Sequence, residues 1–141
     1  MKFLSLIFFL CFNSYANTCS NFSGKWLIQG GNIENLDDVL EIFQIDCNSI
    51  KFDWMDFSLN GQENRQPAYP NYPYLFAGKI INENTFDLYE KYDFSTKNCS
   101  PFQHWIIKKL NNEQLVQTEQ YFNCDGSLSY EVESNYSKLS L

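Results

Sequence analysis

The residues of this 141-residue chain that could do chemistry are few and scattered. His104 is the only histidine, set in FQHWIIKKL between aromatic neighbours, where an imidazole reads as a packed or half-exposed strand residue. Nucleophilic catalysis needs a nucleophile, a base within reach and a group that orients the base, and no G-x-S-x-G occurs. Glycoside cleavage needs two carboxyls facing across a cleft. Asp53 and Asp56 sit at odd spacing, which turns them to opposite sides of an extended strand. Glu131 and Glu133 share a face, but with Ser129 and Asn135, so they read as solvated charges. The expectation is a protein that is not an enzyme and carries no cofactor.

Cysteine chemistry points elsewhere. Cys19, Cys47, Cys99 and Cys124 are far apart in sequence and have one histidine for company, so zinc-ligand spacing is absent and no metal is expected. An even count in an exported chain reads as two disulfides. Export is itself an expectation. MKFLSLIFFLCFNSYA places Lys2 before an apolar run and small residues before Ala16, the three-part pattern of a signal peptide. The apolar run is too short to span a bilayer, which takes about 20 residues. Residues 1–16 are therefore expected to be removed, with Cys11, leaving a single domain over 17–141 in a secreted or periplasmic setting. No later segment is apolar and long enough to be a membrane span. The chain carries a net charge of −7, one arginine and scattered lysines. Duplex binding needs clustered cations, so nucleic acid is not an expected partner.

The elements that must position these residues are strands. Short runs rich in Phe, Tyr, Ile and Val alternate with turn residues, and predict strands over 25–29, 39–46, 49–59, 74–81, 85–94, 102–110, 114–122 and 128–138. Only 33–40 has helical character. In LSYEVESNY, Leu128, Tyr130, Val132 and Tyr136 share one face, and the alternation predicts one packed wall and one wet wall. Eight antiparallel strands with short connections hide their edges best in an up-and-down β-barrel, the alternative being a two-sheet β-sandwich. Counting reversals along such a barrel puts Cys19 and Cys47 at one end and Cys99 and Cys124 at the other. The predicted bonds are Cys19–Cys47 and Cys99–Cys124.

The stretch NFSGKW, with Gly24 and Trp26, resembles the start of the lipocalin family, whose first strand carries Gly-x-Trp at the closed end of an eight-stranded barrel. The resemblance implies that Trp26 plugs the barrel floor and Gly24 permits the close approach of its strand. Avidin-like barrels are similar over the same residues, with a cysteine shortly before Gly-Lys-Trp, although LIQGG does not match their biotin-binding turn. Lipocalins also place an arginine near the last strand, packed over the tryptophan. The one arginine here, Arg65, is in the wrong place for it.

Two features point to binding. Glu90 falls on the apolar face of TFDLYEKYDF with Phe86, Leu88, Tyr92 and Phe94, where an ionised carboxylate without a partner costs several kcal/mol. RQPAYPNYPYLF, over 65–76, holds Tyr69, Tyr72 and Tyr74 on a proline-stiffened segment suited to display rings. The expected function is non-catalytic binding of a small apolar or aromatic ligand at the barrel's open end, with Glu90 and Tyr92 as contacts. The alternative is recognition of a protein partner, as an inhibitor or adhesin, through Tyr69, Tyr72 and Tyr74.

Overall fold

The computed structural model describes residues 19–65, 74–92 and 101–140. The expected leader, Tyr69, Tyr72 and Cys99 lie outside the described residues. Nine strands follow in order: β1 (Gly24–Ile28), β2 (Val39–Gln44), β3 (Ser49–Phe52), β4 (Met55–Ser58), β5 (Tyr74–Asn82), β6 (Thr85–Tyr92), β7 (Phe102–Lys109), β8 (Gln114–Phe122) and β9 (Leu128–Lys138). All lie in one sheet ordered β4-β3-β2-β1-β9-β8-β7-β6-β5. The helical character expected over 33–40 amounts to one 3-10 turn, Leu36–Asp38. No helix among the described residues is long and apolar enough to cross a membrane.

The expected count of eight strands is corrected to nine, because 49–59 is a hairpin and not one strand. Phe52 pairs with Met55 across a two-residue turn, and Asp53 there takes φ 52. A positive φ at the first central residue suits the twist of a tight hairpin, and aspartate tolerates it better than most residues. The hairpin lets Ile50, Phe52, Met55 and Phe57 all face the core. Beyond β4, the chain turns again and meets β5 through isolated antiparallel bridges, Asn60 with Lys79 and Asn64 with Phe76. These bridges bring the two ends of the sheet together, so the result is an almost closed antiparallel barrel and not a sandwich. Gly78 sits at this seam. A Cβ there would come within 3.0 Å of the Leu59 and Leu88 side chains and 3.2 Å of the Ser58 carbonyl.

The hairpin and the stretch 60–64 add two reversals, and two reversals cancel. The ends of the barrel are therefore occupied as the cysteine count requires. Cys19 and Cys47 meet at one end in a disulfide with a Cα–Cα separation of 5.7 Å. Cys124 lies in the turn before β9 at the opposite end; its expected partner, Cys99, lies outside the described residues.

The end carrying Cys19–Cys47 is floored by the N-terminal segment. The Ser20 N–H donates to the Glu83 carbonyl at 2.7 Å, Lys109 Nζ donates to the Asn21 carbonyl at 2.8 Å, and the Phe22 ring meets Phe86 edge-on at 4.5 Å. Trp26, wholly buried, stands above this floor, with its indole N–H donating to the Phe22 carbonyl at 3.1 Å. Lys138, at the end of β9, holds its ammonium 5.3 Å from the Trp26 ring centroid, in cation–π range. A cation from the last strand therefore does pack over the tryptophan. The sequence reading missed it because it looked for an arginine. Gly24 makes room for it: its φ is +150, and a Cβ would lie 2.8 Å from Lys138 Cε.

Candidate functional site

Among the described residues, the barrel is tightly filled toward the Cys19–Cys47 end and less so toward the other. Leu88, Ile107 and Leu115 are buried, but the inner face of β8 changes character along its length, from Leu115 to Gln117, Glu119 and Tyr121. On β9, Tyr130 and Val132 remain 45% and 50% exposed. The wall expected to be packed over Leu128, Tyr130, Val132 and Tyr136 is packed only at Tyr136. Beside it, β1 pairs with β9 only over 136–138, so among the described residues the rest of β9 has a strand on one side only.

Beside the β3–β4 hairpin lies a cleft of about 780 Å³, which β9 reaches only through Tyr136. Phe52 and Trp54 line one side, and Trp105, Gln117, Glu119 and Tyr136 the other. Its Asp53 and Trp54 side lies at the end away from the Cys19–Cys47 bond. Glu119 is its polar centre: Gln103 Nε2 donates to Glu119 Oε1, as does the Tyr130 hydroxyl at 3.2 Å. Burial, followed by the charges of Asp53 and Glu119, pushes the Tyr136 phenol up, and the lining carries Lys25 and Lys51 as well as these acidic groups. Gln117 Oε1 is buried and, among the described residues, has no hydrogen-bond partner. A buried acceptor left unmade costs about 1–3 kcal/mol.

Glu90 is where its alternation placed it, on the inner face, 8% exposed, in register between Phe76 on β5 and Gln103 on β7. No hydrogen bond or ion pair joins it to another described residue, and burial pushes its carboxyl above the ordinary 4.5. Tyr74 packs against the core, its ring 6.3 Å from Phe76, so Glu90 and Tyr74 flank one phenylalanine. Tyr92 pairs with Tyr74 through the backbone. Tyr69 and Tyr72 fall outside the described residues, so of the segment's three tyrosines only Tyr74 belongs to the described structure.

Because the folded protein holds the Glu90 proton more tightly than the unfolded chain, the neutral carboxyl is the better-tolerated form. Its stabilising contribution is full below about 4.5 and is lost as pH rises through the raised folded value. Glu90→Gln cannot ionise. The variant is expected to gain stability over the parent between pH 4 and 7, with the difference closing at the acid end. Parallel pH profiles in urea unfolding would show that Glu90 is solvated.

A second constellation occupies the outer face. His104 Nδ1 lies 2.8 Å from Asp87 Oδ1, Lys79 Nζ is 3.5 Å from Asp87 Oδ2, and Tyr89 stacks on His104 with centroids 5.5 Å apart while its hydroxyl donates to Glu63. They line a groove of about 440 Å³. Sequence reading singled out His104 but not Asp87, because the cross-strand register that joins them is invisible in the chain order. The groove has a base and an orienting acid, yet its described lining holds no serine, threonine or cysteine.

Sequence reading also missed Trp54, Trp105, Gln117 and Glu119. A signal was present: β8 is polar on both faces from Gln117 to Gln120, which a strand facing a packed core would not be. Compared with protein-family models, with curated proteins and with solved structures, the chain finds no significant match.

Proposed function

We propose that this chain is an exported, non-catalytic binding protein of lipocalin-like build that holds a small aromatic molecule in the cleft at the open end of the barrel. One observation carries the reading: an aromatic-lined cleft contains a buried acceptor, Gln117 Oε1, with no partner of its own among the described residues. Ligand sites combine apolar walls with a few convergent polar groups in this way. Gly24, Trp26 and the cation of Lys138 over the indole support the lipocalin-like assignment of the closed end. The Cys19–Cys47 bond suits an oxidising compartment outside the cytoplasm.

The test uses N-phenyl-1-naphthylamine, a neutral aromatic probe with one N–H donor. Saturable one-to-one binding with a fluorescence increase is expected. Trp105→Ala is expected to weaken it by about tenfold or more, as for losing one aromatic contact of about 1.4 kcal/mol. Gln117→Leu, which deletes the acceptor and keeps the volume, should weaken it less. Non-saturable binding, or affinity indifferent to both substitutions, would overturn the reading, provided circular dichroism shows the variants folded.

A further inference from the structure

We infer that the free edge of β9, residues 128–134, is a docking strand for an extended peptide whose apolar side chains alternate with lysine or arginine. The edge is free for a definite reason. The Gln29 N–H donates to the Asn135 carbonyl at 2.8 Å, and the chain then turns away from β9 through Gly30 at φ 83. Above Asn135, β9 keeps β8 on one side and no described neighbour on the other. Seven residues of strand, about 23 Å at 3.3 Å per residue, therefore present unpaired backbone groups. The sequence over this edge, LSYEVES, has neither proline nor lysine, and its one register shift against β8 falls at the Ser129 end, leaving 130–134 regular.

The two faces of the edge specify what it can accept. Tyr130 and Val132 are exposed on one face, the Tyr130 ring held in place by stacking on Tyr121 with centroids 5.4 Å apart and planes 2° from parallel. Glu131 and Glu133 are exposed on the other. A second copy of this chain is a poor occupant. Antiparallel pairing of β9 with itself centred on Val132 sets Glu131 against Glu133, and centred on Glu131 sets that residue against itself. Like charges directly opposite one another destabilise a strand pair. A strand with basic residues at those positions turns the same charges into cross-strand attraction, and the chain's net charge of −7 draws such a peptide in. The backbone edge would supply affinity and the alternating faces specificity, the mode known as β-augmentation. This surface touches the cleft only through the Tyr130 hydroxyl, which donates to Glu119, and does not depend on a molecule inside it.

The full chain, labelled with ¹⁵N, is titrated with a capped octapeptide alternating lysine and valine. Saturable shifts confined to β9 and its neighbour β8 are expected, and the Glu131→Lys, Glu133→Lys double variant should lose about tenfold or more in affinity. The same peptide N-methylated at alternate residues should not bind, because it cannot form the ladder. Equal binding by the methylated peptide would reduce the contact to charge alone and overturn the proposal. So would absence of any shift, or dimerisation of the free chain in sedimentation. Trp105→Ala, which tests the cleft, should leave peptide binding unchanged.

Discussion

Replacing Trp26 by alanine is expected to cost about 3–5 kcal/mol of unfolding free energy, the range for emptying a large core site. Trp26 is fully buried, its N–H is spent on the Phe22 carbonyl, and its ring carries the Lys138 ammonium. The substitution removes a packed volume and also leaves a carbonyl without its donor. Trp26→Phe separates these effects: it keeps much of the volume and should recover most of the loss, less the hydrogen bond of about 1 kcal/mol. Urea unfolding of the three proteins at one pH is the measurement. A loss below about 1 kcal/mol for the alanine variant would mean that the floor does not rest on this residue.

The second large effect concerns the covalent staple. Cys19 and Cys47 are 28 residues apart, and closing a loop of that length is worth about 3–4 kcal/mol in the chain-entropy description. The Cys19→Ser, Cys47→Ser double variant is expected to lose stability on that order. The loss should be felt first at the floor, where Ser20, Asn21 and Phe22 are held by the bond on one side and by Glu83 and Lys109 on the other. Hydrogen exchange at the Ser20 amide, which donates across the floor, should therefore quicken more than exchange at Leu88 in mid-barrel. Uniform quickening would show the bond acting on the whole chain through the unfolded state and not on the floor.

Strand identity was legible wherever one local rule sufficed. Period-two alternation in β6 and β9 placed Phe86, Leu88 and Glu90 on one face and Glu131 and Glu133 on the other, because successive side chains of an extended backbone point to opposite sides whatever lies beyond them. The break within 49–59 was also written in the chain. Ile50 and Phe52 are apolar at even positions, Met55, Phe57 and Leu59 at odd ones, and a continuous strand cannot bury both sets. Only a two-residue reversal at Asp53 and Trp54 changes the phase, and without glycine there the turn gave no compositional warning.

The sequence by itself determined the all-β class, the positions of most strands and the pairing of Cys19 with Cys47, since these follow from alternation and from counting reversals, while the burial of Trp26 followed only from the resemblance of NFSGKW. Tertiary structure alone decided what stands opposite each face. Val132 and Leu88 carry equally apolar side chains in equally good alternation, yet one is half exposed and the other buried. The difference is that β1 ends at Ile28 and leaves the upper part of β9 with a described neighbour, β8, on one side only. The same long-range placement brings Lys138 to Trp26, Asp87 to His104, and Trp54 to the cleft shared with Gln117. Burial and pairing are properties of two segments at once, and alternation records only one.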